Sequence, residues 1–142
     1  MAVDFEPIAE AVFDVVKGIE GVPYATRYRI LPEALPDNPA AIVSMLGASA
    51  SQRHGQPARW TASFLIGWVS RSHPDDADAP ETAMNAWLVR LQEAFGTDGG
   101  TVNTLGGLVD HAVLTGEVEF VHPDREYPWS QCWATVEVVV VD

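Results

Sequence analysis

At 142 residues, 47% hydrophobic and 20% charged, the chain has the size and composition of one folded domain, which hides roughly 70% of the surface its unfolded chain would expose. Eight basic residues against twenty acidic ones give a net charge of −12, which repels a phosphate backbone and sets aside sequence-specific nucleic-acid binding. Apolar runs such as Val138–Val141 fall far short of the ~20 residues that a membrane-spanning helix needs, so no membrane partner is expected. Asp4 and Glu6 stand where a secretion signal would carry positive charge, and the one cysteine, Cys132, can make no internal disulfide, which fits a reducing cytoplasm or a protein needing no staple.

In chain order, Asp4 is placed to cap a first helix that tolerates Pro7 in its opening turn and runs to about Lys17, with Ile8, Val12, Val15 and Val16 on one stripe. Gly18 and Gly21 end it. Tyr24 to Leu31 predicts a short strand, followed by a stiff loop containing Pro32, Pro36 and Pro39. Ala40 to Leu46 is apolar on both faces, as a central strand would be. Gly47 to Ala58 is small, polar and glycine-containing, which predicts a mobile loop.

The next stretch organises the rest. In Trp60–Val69, the residues Trp60, Ala62, Phe64, Ile66 and Trp68 share one face, the period of two of a half-buried strand. An acidic loop with His73, Asp75, Asp76 and Asp78 follows, and Asp78 is a plausible N-cap for a second helix. There Met84, Trp87, Leu88, Leu91 and Phe95 recur at helical spacing until Gly96. A glycine-rich connection leads to a strand from Leu108 with Ala112, Leu114, Val118 and Phe120 on one face and a bulge expected at Gly116. The last strand, Trp129 to Val141, alternates Cys132, Ala134, Val136, Val138 and Val140 with Gln131, Trp133, Thr135 and Glu137.

This order predicts a single α+β domain over residues 1–142: about five strands, antiparallel or mixed, with both helices on one face. A crossover through the second helix would make the sheet mixed. On the other face, Leu65, Val69, Trp133, Val139 and Val141 predict that this face, or an edge strand, is covered by another subunit.

The residues give no catalytic motif. Asp110 and His111 are adjacent in an extended segment and so point to opposite faces, which denies Ser130 a triad. Neither His73–Asp78 nor His122–Glu126 has an established zinc or calcium spacing, and the Gly96–Gly107 stretch follows a helix and lacks the lysine of a phosphate loop. No catalytic residue, cofactor or metal is therefore expected. Glu117 and Glu119 are candidates to meet Arg27 and Arg29, across strands or across a subunit boundary.

Taken together, the alanine- and valine-rich first helix, the proline-punctuated loop, the Trp-initiated strand, the Ala-Trp-Leu-Val-Arg-Leu-Gln-Glu-Ala-Phe helix and Thr104-Leu105-Gly106-Gly107 before a strand resemble the tail terminator, or tail completion, proteins of long-tailed bacteriophages and prophages. The likeness covers nearly the whole chain. It implies a virion structural protein of the tail–neck region, made in the host cytoplasm, that assembles as a ring, commonly of six. Such a ring caps the tail tube protein, stops its polymerisation and presents a surface to the head–tail connector protein, with no reaction catalysed. Loops at opposite ends of the sheet should then differ, and Arg53 differs from acidic Asp75 and Asp76. Together with Trp133, these are the candidate partner-interface residues. The alternatives are another head–tail joining protein, or a dimeric small-ligand-binding or hydrolytic domain.

Overall fold

A computed structural model describes residues 2–27, 34–36, 39–71, 78–96, 103–123 and 126–141, the side chains of residues 78–80 excepted. It contains helices α1 (Glu6–Lys17) and α2 (Asp78–Phe95) and strands β1 (Tyr24–Thr26), β2 (Ala40–Ser51), β3 (Arg59–Arg71), β4 (His111–Val121) and β5 (Trp129–Val141). The strands form one open sheet in the order β1-β2-β3-β5-β4. The architecture is the α+β one expected.

The sheet is mixed, though by a different pair from the one a crossover would supply. β1 lies parallel to β2, while β3 and β4 run the same way with antiparallel β5 between them. Within α1, Asp4 Oδ1 accepts the Glu6 N–H at 3.1 Å, so the capping oxygen acts one residue before the observed N-cap, Phe5. The helix closes when the Gly18 N–H reaches the Asp14 carbonyl at 3.0 Å.

Both helices pack on one face. Ile8, Val12 and Val16 of α1 and Met84, Trp87, Leu91 and Phe95 of α2 join Phe64, Ile66, Trp68, Cys132, Ala134, Val136 and Val138 in one buried cluster. Each large side chain removed from water here contributes ~1.5–3 kcal/mol before entropy is counted. The faces are those the period of two predicts, with Trp60 only half-buried at the rim.

Bulges decide where that pattern bends. Leu46 is an extra residue in β2, so the alternation flips from Met45, opposite Phe64, to Gly47, opposite Ser63. In β4 the expected bulge at Gly116 spans Thr115 to Glu119, opposite Thr135 and Trp133. Two residues more than the partner strand keep the parity, which is why Phe120 still falls opposite Cys132.

On the other face Ile42, Val69 and Trp129 are buried, with Leu35 and Trp133 packed against them. The expectation that another subunit covers Val69 and Val139 needs correction: both are buried within the chain itself, while Leu65 and Trp133 are half-buried and Val141 is exposed. The Trp133 ring packs against Gly67, so that a Cβ there would stand 2.3 Å from a ring carbon. In an ordinary strand, alanine improves on glycine. Here Gly67→Ala is expected to destabilise by about 1–3 kcal/mol, because the indole must leave its seat. Urea unfolding with tryptophan fluorescence measures it.

Candidate partner interface

β3 is 13 residues long, so its ends stand ~40 Å apart at about 3.3 Å per residue. At one end the β2–β3 hairpin turns through Gln52–Ala58, where the Gln56 N–H reaches the Arg53 carbonyl at 3.0 Å and Gln52 Nε2 reaches the Gln56 carbonyl at 3.1 Å. Arg53, His54 and Arg59 are exposed there. At the other end the chain leaves β3 at Arg71, beside Trp129, and leaves β4 at Val121, beside Gln131. Asp75 and Asp76 belong to the connection from Arg71 to Asp78 and lie outside the described residues, as do Arg29, His73, Asp124 and Arg125. The topology thus sends Arg53 and the acidic connection from opposite ends of the sheet.

The loop expected over Gly47–Ala58 is largely strand. β2 continues to Ser51, paired with β3 as far as Arg59. Its residues from Met45 to Ser51 are exposed on both faces, so they bury nothing that sequence periodicity could report, and only pairing with β3 extends them. A shallow trough of about 430 Å³ runs beside this segment over Leu46, Gly47, Ser49, Thr61, Ser63 and Glu137. The signal that marks the hairpin is charge. From Asn38 to Pro74 there is no Asp or Glu and there are three Arg, a local +3 in a chain of −12, which leaves −15 on the remainder.

Trp133 is held rather than free. Its Nε1–H donates to Gln131 Oε1 at 2.9 Å, and Gln131 Nε2 donates to the Tyr127 hydroxyl at 3.1 Å. One side of the indole therefore packs at home on Gly67, and the half-exposed remainder is what a partner would meet.

Glu117 and Glu119 do not meet Arg27 within the chain. They sit on β4 at one edge of the sheet, whereas Arg27 follows β1 at the other. Arg27 instead bonds Glu6 through both nitrogens of its fork, one at 3.3 Å, and holds the Glu6 carboxyl below its usual range. Asp110 is exposed, His111 is half-buried opposite Val139, and Ser130 is buried nine residues further along β5, about 30 Å away at ~3.3 Å per residue. That geometry assembles no triad from them. Burial pushes the Cys132 thiol up to about 11, which makes it a poor nucleophile at neutral pH.

Among the described residues, no three His, Cys, Asp or Glu side chains converge on a metal position, and no helix is long and apolar enough to cross a membrane. The elements define an α+β protein in which, among the described residues, Leu46–Ser51 of β2 pair with β3 alone. No known protein family and no curated protein matches the chain in sequence.

Proposed function

We propose that this protein is a virion structural component of the tail–neck region that assembles as a ring, with six copies the expected number, on the end of a phage tail tube. It stops addition of tube subunits and offers its far side to the head–tail connector. Its work is binding and capping, and no reaction belongs to it. The resemblance in element order and in Thr104–Gly107 suggests the role. The observation that carries it is the polarity of the sheet: a basic hairpin tip at one end, and the connection bearing Asp75 and Asp76 leaving from the other. A ring that meets two unlike partners needs two unlike faces, and charge complementarity sets which partner docks where.

The test is capping of tube polymerisation, scored by tube length and negative-stain images. Wild-type protein is expected to end tubes with a ring of about six subunits. Either Asp75→Lys with Asp76→Lys, or Arg53→Glu, should lower capping at least tenfold, and raised salt should weaken wild-type capping in the same direction. Full capping by both variants, or a wild-type chain that stays monomeric with and without tubes, would overturn the proposal.

A further inference from the structure

We infer that the outer edge of β2, Leu46–Ser51, pairs with the β4 edge of a second copy of this chain, Gly116–Val121, in a head-to-tail contact. This rests on the ring reading above and supplies its interface.

The β2 edge lacks the usual guards. Natural sheets blunt their edges with charges, prolines, cover or short strands, yet Val43–Ser51 contains no Lys, Arg, Asp, Glu or Pro. Among the described residues, β1 covers Ala40–Ile42 and goes no further. From Leu46 to Ser51 every residue is exposed, and among the described residues only β3 pairs with them. Holding such a segment extended costs backbone entropy, and its exposed residues offset that cost with no burial. A row of outward N–H and C=O groups on small side chains is instead a template for another strand.

β4 offers the matching edge. Its first half is occupied: the Ala112 N–H donates to the Asn103 carbonyl at 2.7 Å and the Leu114 N–H to the Gly96 carbonyl at 3.2 Å. Its second half, Gly116–Val121, has no such neighbour among the described residues and exposes Glu117, Glu119 and Phe120. Glu117 and Glu119 make this edge acidic, whereas the hairpin tip just beyond the uncharged β2 edge carries Arg53 and Arg59 with no Asp or Glu nearby.

Direction and offset also agree. β2 and β4 run in opposite directions, so a copy moved sideways meets its neighbour antiparallel. Val121 is level with Ala40, and His111 with Ser49. Joining the two free halves therefore needs a stagger of about five residues, ~17 Å. Across the four strands β2, β3, β5 and β4, ~19 Å wide, this tilts the strands by about 40°, the inclination found where sheets close on themselves. Opposite edges of one subunit meeting in this way give a heterologous contact, the kind that forms a ring when the rotation between neighbours divides a full turn.

Disulfide trapping tests it in the full chain, where buried Cys132 gives little background. Cysteine placed at Ala48, Ser49, Ala50 or Ser51 is combined with cysteine at Glu117 or Glu119, and Ala50→Cys with Val89→Cys, on the exposed side of α2, serves as control. The expected result under mild oxidation is a ladder from dimer upward for at least one edge pair, tenfold above the control. Ala48→Glu with Ala50→Glu, both exposed, should leave thermal unfolding unchanged while abolishing self-association. Rings that form without edge cross-links, or that survive the two glutamates, would overturn this inference and leave the ring reading standing. A chain that is monomeric alone and on tube ends would overturn both.

Discussion

Trp87→Ala is expected to lower the unfolding free energy by about 3–5 kcal/mol, enough to leave a domain of typical stability, ~5–15 kcal/mol, close to its unfolding limit. Trp87 is 1% exposed and belongs to the cluster by which α2 is fastened to the sheet. Trp87→Phe should behave differently. The indole Nε1–H is buried without a hydrogen-bond partner among the described residues, and an unmet buried donor costs ~1–3 kcal/mol. Phenylalanine keeps the ring against the sheet and removes that donor, so the loss of packing is offset and the net cost should be under about 1.5 kcal/mol. Urea titration of the two variants measures the difference, with unchanged denaturant slopes as the check on two-state unfolding. Equal costs for alanine and phenylalanine would mean that the N–H is satisfied and the argument fails.

That α2 presents Met84, Trp87, Leu91 and Phe95 to the sheet was readable from spacing alone, because a helix with one buried stripe leaves a 3.6-residue signature. The alternation of β3 and β5 is readable from a period of two: Ala62 to Ile66 and Cys132 to Val138 each bury every second residue. What sequence could not supply was pairing order. β5 inserts between β3 and β4, and no local pattern distinguishes that from a sheet in which β3 and β4 are neighbours.

The candidate interface was legible only in part. Arg53 stood out as a basic residue in a small, polar stretch, and the structure puts it on an exposed hairpin tip. The strand leading to it has the sequence of a loop, since Gly47, Ala48, Ser49, Ala50 and Ser51 bury neither face and have weak strand preference. Their order comes from β3, which a window on their own sequence does not contain. Of the two contacts open to Glu117 and Glu119, the one with Arg27 across strands fails because strand order puts Arg27 at the far edge. Trp133 was chosen for lying opposite the apolar face of β5; that it is seated on Gly67 depends on the register of β5 on β3, a long-range fact.

Leu105, in the Thr104-Leu105-Gly106-Gly107 turn, is the site of the second large expected effect. Leu105, Gly106 and Gly107 have φ of 51°, 70° and 91°, three consecutive left-handed residues in the turn between α2 and β4. Two of them are glycine, which adopts this conformation freely; Leu105 does so at a cost of roughly 1–2 kcal/mol. Asn103 supports it, with Oδ1 accepting the Leu105 N–H at 2.8 Å while Nδ2 donates to the Ala94 carbonyl near the end of α2, also at 2.8 Å. The strain persists because the Leu105 side chain is 6% exposed in the main core. Leu105→Ala should cost ~2–4 kcal/mol, keeping the strain and losing the side chain. Leu105→Gly loses the same contacts and relieves the strain, so it should be about 1 kcal/mol more stable than the alanine variant, reversing the usual order of the two residues. If glycine proved the worse substitution by urea unfolding, the left-handed turn would not be the constraint that fixes this segment.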